Sequence, residues 1–320
     1  MHGLGNDYIY VDCFSQSLND VDKPALSRII SDRHRGVGSD GLILICPPDP
    51  GVAADLRMEM YNADGSRGEM CGNGIRCVAK YAIEHGLLPS KSAAPAHPLT
   101  TELNSSLGFL GETLGLRDIT ATDLRVQTDR GVLPLTAFAS DGAVRSVRVD
   151  MGPPILKTAD IPVAAPAERC VKHQIQIRDD RFVMTCVSMG NPHAVFFVDS
   201  FECIDLPRLG PQIERHRLFP NRINVHFAVA SSRREAAMKT WERGSGITQA
   251  CGTGACAVLV AGVLENRLDR QATIHLPGGD LQIEWPEDEV ERASAPTAPV
   301  FMTGPAEEVF SGEWRVANDT

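Results

Sequence analysis

Residues 250–262 read ACGTGACAVLVAG. Cys251 opens a run of small residues, and behind it Ala257, Val258, Leu259, Val260, Ala261, Val263 and Leu264 leave no polar face. A helix of that composition is buried on nearly all sides. Its N-terminus presents the free amides of Gly252, Thr253 and Gly254, with a thiol at their edge. That is an anion site beside a cysteine whose ionisation the helix end favours.

The same device occurs earlier. Residues 70–77 read MCGNGIRC and run into Val78, Ala79, Tyr81, Ala82 and Ile83, with Gly86 placed as a C-terminal cap. The two cysteines are 251 − 71 = 180 positions apart, and Tyr61-Asn62 falls on Trp241-Glu242 at the same offset. Upstream, GNDYIYVD from Gly5 matches GNPHAVFFVD from Gly190 at 190 − 5 = 185. Two homologous halves, each bringing one cysteine-led helix to a shared cleft, account for this spacing.

Composition narrows the chemistry. At 320 residues the chain has room for two domains with cores of their own. A net charge of −10 argues against nucleic acid as a partner and leaves a small-molecule substrate. No apolar run approaches the roughly eighteen residues of a membrane span, and MHGLGNDYIYVD lacks the pattern of a signal peptide. Nine scattered cysteines without a CxxC pair suit a reducing cytoplasm and argue against a structural metal site.

The expected elements are many strands and few helices. Helices are read at 23–32, behind Cys71, at 208–216 and behind Cys251. Strands are read at 8–11, 42–45, 56–62, 124–128, 132–139, 144–151, 182–188, 223–230, 272–276 and 281–285. A Pro/Ala/Ser/Thr-rich stretch, 89–124, reads as an insertion, 164–169 as a linker, 286–299 as an acidic loop, and 300–314 as a closing hairpin. The fold class is therefore α+β, with two pseudo-symmetric barrel-like domains each wrapped around a central cysteine-led helix. One comprises 1–146 with the C-terminal 301–320, the other 147–300, and the active site lies between them.

Two thiols facing each other beside anion-binding amides suit inversion at the α-carbon of an amino acid. One thiolate removes the proton and the opposite thiol supplies another to the other face. The amides stabilise the charge that develops on the carboxylate, so no pyridoxal cofactor is required. A phosphate loop lacks its Lys-Ser/Thr, a phosphatase-like loop around Arg76 has no second copy, and a redox pair more often carries CxxC. A core role for small cysteines fits Cys77 and Cys256, one turn into their helices.

HGLGND, YNADGS with MCGNG, SMGNPH and ERGSGITQACGTGAC, in this order, resemble the diaminopimelate epimerase family. The resemblance spans nearly the whole chain outside 89–124 and 286–299. It implies a pyridoxal-independent, cytoplasmic two-base epimerase of L,L-diaminopimelate, in lysine and peptidoglycan biosynthesis and usually a homodimer. By resemblance Cys71 and Cys251 are the acid/base pair, with His193 and Glu242 as supporting acid/base residues. Gly72, Asn73, Gly252 and Thr253 hold the reacting carboxylate, and Asn6, Asn62, Asn191, Asn224, Glu242 and Arg243 recognise the substrate. Proline racemases carry His where this chain has Asn73, and Gly41 stands where many family members carry Gln. A racemase for another amino acid and a non-catalytic amino-acid-binding homologue are the competing readings.

Overall fold

The computed structural model describes residues 1–68, 70–88, 119–287 and 296–315. A short antiparallel pair, β1 (His2–Gly3) and β2 (Asn6–Asp7), opens the chain. The first half then runs β3 (Ile9–Asp12), α1 (Lys23–Ser31), β4 (Gly41–Cys46), β5 (Leu56–Asn62), β6 (Arg67–Gly68), α2 (Gly72–Glu84), β7 (Thr120–Thr128), β8 (Gly131–Ser140) and β9 (Ala143–Asp150). After β10 (His173–Ile177) and β11 (Asp180–Ser188), the second half repeats that order. It runs β12 (Pro192–Phe197), α3 (Leu206–Glu214), β13 (Asn224–Ser232), β14 (Glu235–Glu242), β15 (Gly246–Thr248), α4 (Gly252–Leu264), β16 (Gln271–Leu276), β17 (Gly279–Glu284) and β18 (Phe301–Gly304).

Strand pairing proves the repeat. The path β3-β4-β5-β7-β8-β9 meets β18-β17-β16-β14-β13-β12 in mirror order, and β11 and β10 extend the second end. In both halves the first pair is parallel, the second antiparallel, and the next parallel again. The equivalent strands β9 and β18 pair with each other, Val149 opposite Met302, so the local twofold passes between these two residues. The expected 146/147 boundary lies within β9.

Each half is organised by the helix behind its cysteine. From Ala255 to Ala261 every residue of α4 is fully buried. Each large aliphatic there contributes about 1.5–3 kcal/mol by leaving water. In α2, Ile75, Val78, Ala79 and Ala82 form the buried stripe, but Arg76 and Lys80 are buried too. Lys80 bonds Glu84 and the Val144 carbonyl. Cys77 and Cys256 are fully buried core residues, as their place in the helices implies.

Several boundaries move for identifiable reasons. The third helix begins at Leu206, because Asp205 caps the Arg208 amide and Pro207 fits its first turn. Asp22 and Pro24 start α1 in the same way. Strand β7 already begins at Thr120, so the last residues of the expected 89–124 insertion are paired with β8, while 89–118 lie outside the described residues. The expected closing hairpin is a single strand among the described residues: after β18, Glu307 turns to bridge His2 instead. Strand β10 adds to the expected set, since HQIQI alternates without a bounding turn signal.

Candidate active site

Cys71 and Cys251 are the N-cap residues of α2 and α4, both in extended backbone conformation. This placement leaves the first amides of each helix without helical partners. In the first half, Cys71 Sγ accepts from the Gly74 amide at 3.3 Å and donates to Asn6 Oδ1 at 3.2 Å. Asn6 is oriented from behind by Asp40, whose carboxylate accepts from its Nδ2 at 2.7 Å. Arg76, wholly enclosed, bonds the carbonyls of Gly72 and Pro305 and Asn73 Oδ1.

The second half uses different groups around the same backbone. Cys251 lies 3.7 Å from the Thr253 hydroxyl, and Asn191 Nδ2 donates to that hydroxyl oxygen at 3.3 Å. His193 contacts Asn191 Oδ1 at 2.9 Å and His226 at 2.8 Å, and His226 contacts Thr240 at 3.0 Å. His226 lies beneath Gly254, where any Cβ would collide with its ring. In the first half Ile43 takes the corresponding place under Gly74.

The two helix ends meet. A Cβ on Gly72 would lie 3.0 Å from Met302, and one on Gly252 would lie 2.8 Å from the same side chain, so one methionine packs against both helix ends. Asn73 Nδ2 reaches across to the Ala250 carbonyl at 3.4 Å. Glu242 accepts from the Thr248 hydroxyl at 2.6 Å, and its charge bears on both Cys251 and Cys71.

Burial dominates the electrostatics. It pushes Cys71 up to about 11, against the Gly74 and Asn73 amides and the Arg76 charge, which pull the other way. Burial, reinforced by the Glu242 carboxyl, holds Cys251 well above the ordinary thiol range. Burial likewise raises Glu242, against the Thr248 hydroxyl, which pulls the other way. His193 is held neutral by burial and by the neighbouring His226 and Arg243, and burial takes His226 down to about 3.

Donor atoms of His193, His226 and Cys251 lie within 4.8 Å of one another, the one such cluster of metal-ligating type among the described residues. The two facing imidazole nitrogens are 2.8 Å apart. Tetrahedral zinc with bonds of about 2.0 Å needs nitrogens roughly 3.3 Å apart. Two nitrogens sharing one proton fit this spacing better than two ligands of one ion.

The other residues singled out in the sequence are distributed unevenly. Asn6, Asn73, Asn191, Thr253, His193 and Glu242 converge on the thiols. Asn224 bonds the Pro192 carbonyl and the Arg243 amide, tying the end of β14 to β12. The Arg243 guanidinium is exposed and bonds the Asn221 carbonyl. Asn62 donates to Ser66 within its own turn. Gly41 admits no side chain, because a Cβ there would collide with the Tyr61 carbonyl. Asp40, His226 and Met302 join the site without having stood out in the sequence. Of these only Asp40, inside the glycine-punctuated GVGSDG, carries a local signal.

A family model described as diaminopimelate epimerase matches residues 1–102 and 185–309. The diaminopimelate epimerase of Desulfitobacterium hafniense is 44% identical over 313 residues, covering 98% of this chain and 95% of its own. That of Agathobacter rectalis is 45% identical, covering 98% and 97%. The diaminopimelate epimerase of Methanococcus maripaludis is 41% identical, covering 98% and 97%. Among solved structures, a probable proline racemase from Agrobacterium radiobacter K84 matches with a TM-score of 0.60 at 17% identity, covering 90% of this chain and 79% of that one. A hydroxyproline epimerase from Agrobacterium vitis matches at 0.59 and 15%, covering 95% and 86%. At these identities the likeness to the two structures is one of fold.

Proposed function

The chain belongs to the diaminopimelate epimerase family, and we propose that it converts L,L-diaminopimelate to the meso form with two opposed thiols. It is thus an isomerase of amino-acid, specifically lysine, biosynthesis. The observation that carries the mechanism is the meeting of two cysteine-capped helix ends over Met302, with Glu242 acting on both thiols.

A substrate carboxylate seated on the amides of Gly72, Asn73, Gly252 and Thr253 places its α-carbon between the two sulfurs. A thiolate on one side takes the α-proton, so the C–H bond breaks as an S–H bond forms. The electron pair moves into the carboxylate, where the amides and helix ends stabilise it. The opposite thiol then delivers its proton to the other face, leaving a thiolate there and an inverted centre. Glu242 exchanges a proton with Cys251 between turnovers, while His193 holds Asn191 in place. No pyridoxal group takes part in this scheme, and we take the working unit to be a cytoplasmic homodimer whose cleft divides 1–146 with 301–320 from 147–300.

Substrate choice rests on an asymmetry. Arg243 follows Glu242, whereas the corresponding residue of the first half is Ala63. A guanidinium at one side only suits the distal carboxylate of a diamino-dicarboxylate, with Asn62, Asn191 and Asn224 for its amino and carboxylate groups. The test is turnover of L,L-diaminopimelate by purified protein without added cofactor, beside proline and alanine. Wild type should act on diaminopimelate alone. Arg243→Met should lose about 2–5 kcal/mol of transition-state binding, the usual cost of truncating one partner of a desolvated charge pair. Equal turnover by the variant, or comparable racemisation of proline, would remove the substrate assignment and leave the two-thiol chemistry standing.

A further inference from the structure

An unbroken row of hydrogen bonds runs from β14 to Cys251. It passes from Thr240 Oγ1 to His226 Nδ1 (3.0 Å), from His226 Nε2 to His193 Nδ1 (2.8 Å), and from His193 Nε2 to Asn191 Oδ1 (2.9 Å). It continues from Asn191 Nδ2 to Thr253 Oγ1 (3.3 Å) and ends at Cys251 Sγ (3.7 Å). Both histidines and Cys251 are buried, so each neutral ring has one N–H to place.

The direction of the row follows from its middle. Asn191 Oδ1 can only accept, so the His193 proton is on Nε2 and its Nδ1 accepts. The His226 proton is then on Nε2, and its Nδ1 accepts from the Thr240 hydroxyl. At the other end Asn191 fills a lone pair of Thr253 Oγ1, freeing the Thr253 hydrogen to point at Cys251. Every donor thus points the same way, and bonds aligned head to tail polarise one another.

The equivalent asparagine of the first half shows its cysteine the opposite end. The Asp40 carboxylate takes Asn6 Nδ2, which leaves Oδ1 facing Cys71 to receive its S–H. We propose that His226 is a positioning residue for Cys251, acting through His193 and Asn191 so that the Thr253 hydroxyl is aimed at the sulfur and supports the thiolate there. This rests on the two-thiol reading above. Charged and titratable groups facing Cys251 are Glu242 from β14, His193 from β12 and His226 itself from β13; Cys71 faces Glu242, Arg76, Tyr8 and Tyr10. Glu242 opposes ionisation at both sulfurs and bears more heavily on Cys251, while Arg76 favours it at Cys71 alone, so the hydrogen-bond row is what supports a thiolate on the Cys251 side.

The experiment is alkylation of the full chain by iodoacetamide from about pH 6 to about pH 10, read at Cys71 and Cys251 separately by peptide mass. His226→Ile gives the second half the residue type of the first. It should slow alkylation of Cys251 about tenfold at a fixed pH below its midpoint and leave the Cys71 rate where it was. His226→Gln, which restores an N–H, should recover most of that change. Thr240→Val removes only the far donor and should move Cys251 in the same direction by less. It decides the matter if His226→Ile fails to fold. An unmoved Cys251 alkylation rate in a folded variant, or equal changes at both cysteines, would overturn the proposal. Because alkylation needs no turnover, this outcome is separate from the two-thiol reading, which falls only if a cysteine proves dispensable for epimerisation.

Discussion

The two halves share a chain path and differ in what fills it. Tyr8, Ile43, Asn62, Asn73 and Val149 of the first half become His193, His226, Glu242, Thr253 and Met302 in the second. The helix-end glycines, the capping cysteines and the asparagine pair Asn6 and Asn191 stay the same. Below the cysteine, α4 is apolar all round, whereas α2 encloses Arg76. The lesson is that the repeat supplies geometry and the substitutions supply chemistry. Glycines let two helix ends close on one point, and each half then tunes its own sulfur. Arg76 and the Asn6–Asp40 pair do so in the first, and Glu242 with the histidine row does so in the second.

The largest expected effect breaks the cysteine pair that the halves have in common. Cys71→Ser and Cys251→Ser should each reduce turnover by about 10²–10⁴-fold, the contribution of a positioned acid or base, because a serine hydroxyl is a far weaker base than a thiolate. Cys77→Ser and Cys256→Ala, one turn further into each helix, should keep most activity and cost mainly stability. Near-normal turnover by either N-cap variant would show that the halves do not act as a pair.

A smaller effect should separate the halves by pH. Burial lowers His193 and takes His226 to about 3 from 6.5, so in the folded protein these rings stay neutral where in the unfolded chain they would charge. The folded state then binds fewer protons. Their contribution to stability is complete above about pH 6.5 and is lost as the pH falls toward the folded values; each tenfold difference in proton affinity between the two states is worth about 1.4 kcal/mol. At the equivalent places Tyr8 and Ile43 carry no such dependence. The first half's own acid-sensitive group, Glu59 of β5, is held low against burial by Tyr61 and Lys23, and loses its contribution only as the pH falls below 4.5. Hydrogen exchange on stepwise acidification should therefore open β12 and β13 before β3 and β4, and His226→Ile should narrow the gap. Simultaneous opening of both strand pairs would contradict it.

What can be read in the sequence is whatever repeats or caps locally. The 180-residue offset, the cysteine-led helices and the strand ends at Asn62 and Glu242 are all patterns of near neighbours. The α+β class and the family follow from them. The His193–His226 contact is out of reach because it depends on parallel pairing of strands separated by a helix, with His193 opposite Asn224. The twofold at Val149 and Met302 depends on pairing across the whole second half. Arg76 is charged and still buried, against every composition rule, because carbonyls and the Asn73 side chain enclose it. Asn62 reads as a binding residue beside its motif, and its hydrogen bond to Ser66 within the turn is a contact that the motif does not announce. The Arg243 amide bonds Asn224 while its guanidinium is exposed on the Asn221 carbonyl, a backbone arrangement that the sequence does not announce.

Whether one sulfur from each half acts on opposite faces of the same carbon is open to a direct measurement. It is the isotopic content of both diastereomers in the first turnovers of L,L-diaminopimelate in D₂O. Removal by one thiol and delivery by the other predicts meso product carrying solvent deuterium at the inverted centre while the unreacted L,L substrate keeps its protium. Early product that retained protium at that centre would mean a single group carries the proton across, and the two halves would not be the acid and base of one reaction.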